Sequence, residues 1–174
     1  MKQPPATIRL EPIKLRHAAQ LTAAIDESVS DITRWMGTRY APQTTEGVEA
    51  FINEWFAGAQ AMQQFGCVAI DERDRVVGFG LINQINRVHR FCNLGYWVRS
   101  NDAGRGIATE ITRQLAEFAF TLGLERVEIV VEVSNKASQR VAEKAGALRE
   151  GLLRKRLAGR IGPARDAFMF AIVR

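Results

Sequence analysis

A glycine-rich turn joins a strand-like segment to a helix-like segment near the middle of the 174-residue chain. The strand-like run covers residues 94–98, the turn residues 103–109 and the helix-like run residues 109–122. Gly104 and Gly106 lack a Cβ atom, so the turn can bring several backbone N–H groups to one side. The start of the helix adds unpaired N–H donors and the positive end of its dipole. The segment therefore predicts an anion site suited to a phosphate or a pyrophosphate.

Other glycine-rich signatures fit this turn poorly. A dinucleotide-binding fingerprint has a third glycine and follows the first strand of its unit, whereas here that glycine is missing and the turn comes late. A Walker A loop has Lys followed by Ser or Thr after its last glycine, and here Ile107, Ala108 and Thr109 follow. A tight strand-to-helix turn with no ligand stays open as the alternative at this point.

The size and composition of the chain favour a single folded domain over residues 1–174. Hydrophobic residues make up 47% and charged residues 25%, which are ordinary values for a folded protein. No apolar run approaches the ~20 residues of a membrane span. The first five residues also lead into no apolar segment of a signal peptide. We therefore expect a cytoplasmic protein without membrane contact.

Neither the cysteines nor the charge pattern indicates a metal or a nucleic acid. Cys67 and Cys92 lie in strand-like segments and are expected to be buried free thiols. His17 and His89 are the only histidines, and they lie far apart, so no metal site is predicted. The net charge is +5, with basic residues concentrated over 149–165 and no nucleic-acid motif among them. These residues form either a solvated strand face or a surface that attracts a polyanionic cofactor or an acidic or ribosomal partner.

The order of predicted elements indicates a mixed α/β domain. Residue patterns predict strands near 8–10, 65–70, 76–82, 91–98, 127–133, 148–157 and 167–173. They predict helices near 15–27, 31–36, from 44–47 onward, 109–122 and 136–145. Ser30 or Asp31 would cap the second of these helices. The result is one hairpin, one strand–turn–helix–strand crossover and a closing pair of strands.

A second segment gives the glycine-rich turn its context. Asn135, Lys136, Ala137 and Ser138 are followed by Glu143, Lys144, Ala145 and Gly146. With the strand at 94–98, the turn at 104–110 and the late strand at 150–154, the chain resembles the GNAT family of acyl-CoA-dependent N-acyltransferases. The resemblance covers most of the chain and is closest to the RimJ/RimL-like branch of ribosomal-protein N-terminal acetyltransferases. It implies a twisted, mixed, mostly antiparallel sheet of six to seven strands flanked by about four helices.

The resemblance implies acetyl-CoA as cofactor and names the residues that would bind it. These are Val98, Gly104, Arg105, Gly106, Ile107, Ala108, Thr109, Asn135 and Ser138. The pyrophosphate would lie on backbone N–H groups of the turn, and Arg105 and Arg140 would meet its charge. The pantetheine arm would pair with the backbone at Val98, between two strands that diverge around a bulge. Asn135 would bond the pantetheine amides, although an Asn here is also a good helix N-cap.

The implied reaction is direct attack of an uncharged amine on the thioester. Ser138 would act as the general acid that protonates the leaving thiolate. Its alternative role is a local bond to the backbone of the first helical turn. Two positions depart from the common family pattern: Ala103 replaces a Gln or Arg that contacts phosphate, and Ala142 replaces a Tyr that serves as acid. Phosphate binding would then rely on backbone groups, and the general acid must come from another position.

The general base is less defined by the sequence. Glu132 and Glu128 share one face of their strand, and Glu132 is the candidate base acting through water. Both are also typical of solvent-facing strand carboxylates. Tyr96 and Asp166 remain candidates, whereas Glu110 is better placed to interact with the helix dipole. A protein α-amine has a pKa near 8, so a strong base is not required.

The acceptor is expected to be an amine-bearing molecule: a protein N-terminus, such as that of a ribosomal protein, or a small amine. An antibiotic or metabolite N-acetyltransferase and a noncatalytic CoA-binding or partner-binding module are the alternatives. The resemblance places the acceptor cleft between helices within 26–62 and the late strands, and it allows a homodimer through those strands. Trp35, Met36, Tyr40 and Trp55 either line this cleft or belong to the core.

Overall fold

A computed structural model describes residues 7–159 and 162–174, which form one seven-stranded sheet with two layers of helices. The strands are β1 (Ile8–Pro12), β2 (Phe65–Asp71), β3 (Val76–Asn86), β4 (Phe91–Val98), β5 (Arg126–Glu132), β6 (Leu148–Leu157) and β7 (Arg165–Val173). Their order is β1-β2-β3-β4-β5-β7-β6. Only β4 and β5 pair in parallel among these neighbours. The predicted mixed and mostly antiparallel sheet is therefore confirmed.

Four α-helices flank the sheet, and they correct one sequence prediction. They are α1 (Ala18–Trp35), α2 (Thr45–Gln60), α3 (Ile107–Thr121) and α4 (Lys136–Lys144). The two predicted helices at 15–27 and 31–36 are one, because α1 runs through Ser30 and Asp31, which cap nothing. Its buried face continues from Ile25 through Ser28 to Ile32, so the helical period is unbroken.

The N-terminus of α2 begins as the sequence predicts. The hydroxyl of Thr44 accepts a hydrogen bond from the backbone N–H of Gly47 at 3.0 Å, which satisfies one of the donors that a helix start leaves free. The turn between β6 and β7, predicted over 159–163, includes residues 160 and 161, which lie outside the described residues.

The two sheet faces carry separate hydrophobic cores. Helices α1 and α2 pack on one face, where Phe79 and Trp55 are fully buried with ring centroids 5.6 Å apart. Helix α3 packs on the other face, where Ile111 and Leu115 are buried. Alternate residues of β4 serve the two cores: Leu94 faces α3 and Trp97 faces α1.

Both cysteines are buried, as predicted. Burial raises the pKa of the Cys67 thiol to about 11 and that of Cys92 to about 12. A thiol that stays protonated is a weak nucleophile, so these side chains act as small apolar core groups.

The parallel strands β4 and β5 separate after three residue pairs, of which Asn93↔Glu128 is the last. Beyond it β4 stays paired with β3 in continuous register up to Gly78↔Val98, while β5 follows β7 up to Glu132↔Ala167. The bulge expected at this divergence is not present in β4, because each strand simply follows its other neighbour. The sheet therefore opens at the carboxyl ends of two adjacent parallel strands, where ligands commonly bind in α/β folds.

Strand β6 forms one edge of the sheet and is exposed along nearly its whole length. The guanidinium of Arg149 lies 4.7 Å from the ring centroid of Phe168, a cation–π contact that covers part of the neighbouring strand. The late basic residues of the described chain thus lie mainly on a solvated strand. Within 7–159 and 162–174, no helix has both the length and the apolar character needed to cross a membrane.

Candidate active site

A cleft of about 480 Å³ lies where β4 and β5 separate. It has two sides, because the opening passes from one sheet face to the other. The donor side consists of residues 103–109 and helix α4, and the acceptor side consists of Asp31, Trp35, Met36, Glu132 and Leu157. Of the predicted cofactor residues, the cleft lining includes Val98, Gly104, Gly106, Ile107, Ala108, Thr109, Asn135 and Ser138. The structure thus brings together two segments that are about 30 residues apart in the sequence.

The turn at 103–109, called the pyrophosphate loop below, presents a row of free donors. From Gly104 to Thr109, no backbone N–H donates to an acceptor within the described residues, and the first helical bond is Glu110 N–H to the Gly106 carbonyl at 3.1 Å. Gly104 and Gly106 have φ of 80° and 83°, a left-handed conformation that glycine adopts without steric cost. This geometry, at the N-terminus of α3, is suited to a bound anion.

The side chain of Arg105 pairs with Asp102 and does not line the cleft. Its Nη1 atom donates to Oδ1 of Asp102 at 2.5 Å, and the residue is absent from the cleft lining. The backbone of Arg105 still belongs to the row of free donors, but its guanidinium is committed to a carboxylate. Arg140 does line the cleft, together with Lys144 one helical turn further along α4. The cationic side chains on the donor side therefore come from α4.

Asn135 caps helix α4. Its Oδ1 atom accepts a hydrogen bond from the Ser138 backbone N–H at 3.0 Å. The same residue lines the cleft, so its side-chain N–H₂ group can serve a ligand while the oxygen serves the helix. The capping alternative is thus realised, and it leaves the cofactor role available.

A pair of hydroxyls occupies the cleft floor between β4 and α4. The Ser138 Oγ and Tyr96 Oη atoms lie 2.8 Å apart. Burial raises the pKa of Tyr96 to about 12, although the hydrogen bond with Ser138 acts in the opposite direction. The phenol is therefore protonated at neutral pH. One feature of the sequence indicates this pair: Tyr96 alternates onto the β4 face that carries Leu94, which is the face toward α3 and α4.

The candidate bases differ in their bonding partners and in whether they line the cleft. The carboxylate of Glu132 lines the cleft, forms an ion pair with Arg165 and accepts a hydrogen bond from Ser134 Oγ at 2.6 Å. Glu128 accepts from Arg126 Nε at 2.8 Å and does not line the cleft.

The carboxylates of Asp166 and Glu110 both stabilise local structure. Oδ1 of Asp166 accepts from the Lys155 N–H at 2.8 Å, next to a bulge in β6. Oε1 of Glu110 accepts from Gln114 Nε2 at 2.9 Å. Among the carboxylates named from the sequence as possible bases, Glu132 alone lines the cleft.

The acceptor side divides the four aromatic and apolar candidates. Trp35 and Met36, at the end of α1, line the cleft. Trp55 is buried in the core, and Tyr40 packs edge-on against Phe51 at 6.4 Å between ring centroids. The residue pattern around Asp31 predicts a helix cap there, and no pattern predicts that Asp31 lines the cleft. In the structure its Oδ2 accepts from Ser100 Oγ at 2.6 Å, which joins α1 to the turn before the pyrophosphate loop.

Known proteins share this architecture. A family model described as Acetyltransferase (GNAT) domain matches residues 7–148. The Bacillus subtilis (strain 168) protein named "Putative ribosomal N-acetyltransferase YdaF" is 28% identical over 153 residues, which is 85% of this chain and 80% of YdaF. Mycobacterium smegmatis RimJ, solved in complex with CoA-disulfide, has a TM-score of 0.87 at 25% identity and covers 97% of this chain and 82% of its own. The acetyltransferase MccE, solved with acetyl-CoA and AMP, has a TM-score of 0.86 at 22% identity, over 96% of this chain and 92% of its own.

The fold and the open cleft define an acyltransferase domain. The chain belongs to the GNAT family of acetyltransferases, since the family model spans most of its length. The family, the N-acetyltransferase class and the RimJ/RimL-like resemblance predicted from the sequence are confirmed.

Proposed function

We propose that this protein transfers the acetyl group of acetyl-CoA to a primary amine, with the α-amine of a protein N-terminus as the preferred acceptor. The row of free N–H groups from Gly104 to Thr109, at the mouth of the cleft between β4 and β5, is the observation that carries this proposal. A diphosphate carries the negative charge that these donors and the α3 dipole favour. The structures of RimJ with CoA-disulfide and MccE with acetyl-CoA support the choice of ligand.

The residues that hold the cofactor act in two groups. The backbone of Gly104, Arg105, Gly106, Ile107, Ala108 and Thr109 binds the pyrophosphate. Val98 lies where pairing between β4 and β5 has ended, so its backbone is available to the amides of the pantetheine arm. The Asn135 side-chain N–H₂ bonds the same arm from α4. Acetyl-CoA supplies an activated acetyl thioester.

Ser138 and Tyr96 together supply a proton to the leaving sulfur. The amine nitrogen forms a bond to the acetyl carbon, the carbon–sulfur bond breaks, and the sulfur needs one proton. Ser138 Oγ donates that proton, and Tyr96 Oη, 2.8 Å away, donates to Ser138 in turn. A protonated Tyr96 is available at neutral pH because burial raises its pKa to about 12. The attacking nitrogen loses one proton, which balances the proton that the sulfur gains.

Glu132 receives that proton through a water molecule. Its carboxylate is held in place by Arg165 and Ser134, at the acceptor side of the cleft. A fixed carboxylate orients water toward an incoming amine, and an α-amine with a pKa near 8 needs only weak assistance. A lysine side chain would need much more, which favours a protein N-terminus as acceptor.

The relatives support the choice of acceptor. YdaF is named for a ribosomal substrate, so we propose a ribosomal-protein N-terminus as the first acceptor to test. That acceptor implies a cytoplasmic site of action. We also propose a homodimer through β6, whose Leu148 and Leu152 are 73% and 52% exposed. Sedimentation velocity of the wild type and of Leu152→Glu tests the dimer: the variant should be monomeric, and a monomeric wild type would contradict it.

Calorimetry with acetyl-CoA at neutral pH tests the proposed donor, and absence of binding at millimolar cofactor would reject it. Transfer of labelled acetyl is then measured with three acceptor groups: peptides that copy ribosomal-protein N-termini, the same peptides with blocked α-amines, and small amines including aminoglycosides. Transfer to the free peptides alone is expected. Transfer to small amines alone would indicate a metabolite or antibiotic acetyltransferase, and binding without any transfer would indicate a noncatalytic module.

A further inference from the structure

Four charged side chains connect the pyrophosphate loop to the turn between β2 and β3. Asp102 ends the short 3-10 turn Ser100–Asp102 after β4 and is 5% exposed. Its Oδ1 atom accepts from Arg105 Nη1 at 2.5 Å and lies 3.5 Å from Arg75 Nη2. Arg75 is fixed by Asp71, whose Oδ2 accepts from Nε at 3.0 Å and from Nη2 at 2.8 Å. The Asp102 carboxylate therefore joins two separate turns.

The position of Asp102 is unusual for an anion site. The residue lines the cleft beside the row of free N–H groups, so its negative charge would repel a bound diphosphate. Its Oδ2 atom is buried and has no hydrogen-bond partner among the described residues, which leaves the two arginines as its partners there. A buried carboxylate in such a place must contribute something that offsets the repulsion and the cost of burial.

A structural role for the loop conformation explains this arrangement. Gly104 and Gly106 allow the left-handed conformation but do not enforce it, since glycine loses more conformational freedom than any other residue on ordering. The pair between Asp102 and Arg105 spans three residues and closes over Gly104. The ion pair therefore limits the conformational freedom that Gly104 gives to the loop. A loop ordered before binding costs the ligand less free energy to engage.

We propose that Asp102 is a positioning residue that holds the pyrophosphate loop in its binding conformation, and that Arg105 acts as its tether and not as a phosphate ligand. This inference rests on the proposed function, because it assumes that the loop binds the cofactor diphosphate. The proposal predicts that Asp102→Asn weakens CoA binding, whereas the loss of the negative charge by itself would strengthen it. Removing a negative charge beside a diphosphate would tighten binding by Coulomb attraction alone, whereas loss of the tether weakens it.

The experiment compares Asp102→Asn, Arg105→Gln and the double variant with the wild type. Calorimetry gives the Kd for CoA, and steady-state kinetics give KM and kcat with acetyl-CoA and with acetyl-pantetheine, which lacks the diphosphate. Each single variant should bind CoA about tenfold more weakly, the size expected for one charge-assisted hydrogen bond. The double variant should be no weaker than either single variant, because both remove the same contact. The KM for acetyl-CoA should rise by a similar factor, whereas the KM for acetyl-pantetheine should stay as in the wild type, because that substrate has no diphosphate.

Asp74→Asn is the matched control. Asp74 lies in the β2–β3 turn near Asp71, its side chain is 79% exposed, and it pairs with Arg9 instead of the loop. Its replacement should leave the Kd for CoA unchanged. Circular dichroism reports whether Asp102→Asn folds. Should it unfold, Arg105→Gln carries the test alone, since the Arg105 side chain is 57% exposed. Arg105→Gln should then lower the backbone NMR order parameters of residues 104–109 in the protein without CoA, which the loss of a phosphate contact alone cannot do.

The outcomes separate the two proposals. A wild type that does not bind CoA overturns the proposed function. A wild type that binds CoA, with Asp102→Asn binding equally or more tightly, overturns the role of Asp102 alone. Equal losses with acetyl-CoA and acetyl-pantetheine would also overturn it, because a fault in the pyrophosphate loop cannot affect a substrate without a pyrophosphate.

Discussion

The two sides of the cleft are built from different parts of the chain. The donor side presents the free backbone N–H groups of one continuous turn and of the start of one helix. The acceptor side presents side chains from α1, β5 and β6, which only tertiary packing brings together. A glycine pattern encodes the first directly, whereas the second depends on where distant elements end. The donor side should therefore respond to backbone changes, and the acceptor side to side-chain changes.

The largest expected effect is at the point where the two sides meet. Ser138→Ala should lower kcat about a hundredfold, within the usual range for a lost general acid, because the leaving sulfur then lacks its proton source. The Kd for CoA should change little. Tyr96→Phe should lower kcat less, since Ser138 keeps its own hydroxyl. Stopped assays at saturating acetyl-CoA give kcat, and an unchanged kcat in Ser138→Ala would remove this residue from the mechanism.

A backbone change should affect the donor side alone. Gly106 has φ of 83°, so Gly106→Val forces a β-branched residue into a strained conformation worth about 2 kcal/mol, or about thirtyfold in the Kd for CoA. The KM for the acceptor peptide should not change. Gly123→Val is the control, because Gly123 has φ of 80° but follows α3, at the end of the helix opposite the cleft. It should lower thermal stability and leave the Kd intact.

A side-chain change should affect the acceptor side alone. Trp35→Ala removes a large aromatic surface from the cleft and should raise the KM for the peptide acceptor about tenfold. The Kd for CoA, measured by calorimetry, should stay as in the wild type. Phe56→Ala controls for loss of an aromatic residue, since Phe56 is 47% exposed on α2 and does not line this cleft. Equal effects on donor and acceptor would mean that the two sides are not separable.

The smallest effect concerns stability and lies away from both sides. Burial lowers the pKa of His17 below 6.5, and Arg16 and Arg9 lower the pKa of Glu11 to about 2. In both cases the unfolded chain takes up protons first, so stability is full above pH 6.5 and falls as the pH drops. His17→Asn should reduce the slope between pH 7 and 5 by at most about 1.4 kcal/mol per pH unit. Urea unfolding at several pH values measures that slope, and an unchanged slope would exclude His17 as its source.

The sequence predicted the parts of this molecule that depend on local rules. Thr44 caps α2, and Gly104 and Gly106 occupy left-handed positions, because caps and turns are decided within a few residues. The strands and the open cleft followed from residue patterns and family resemblance. The sequence patterns wrongly divide helix α1, because five of the six residues over 26–31 are polar although the buried stripe continues to Ile32.

Two side-chain contacts could not be predicted from the residue patterns. The partner of Arg105 depends on how the short turn Ser100–Asp102 directs the Asp102 side chain. The contact between Tyr96 and Ser138 depends on how closely α4 approaches β4. Both depend on side-chain positions at distances of 3 Å or less, which no periodicity reports.

The separation of β4 and β5 has a mechanical consequence. Three residue pairs are the whole parallel connection between a half-sheet of β1 to β4 and a half-sheet of β5 to β7. A pantetheine arm that bonds Val98 and Asn135 would link the two half-sheets, and a ligand bound only by the folded state stabilises it by an amount that grows with the logarithm of its concentration. The concentration of acetyl-CoA would then determine how often the two half-sheets separate. Amide hydrogen exchange in residues 94–98 and 129–132 would register that motion directly.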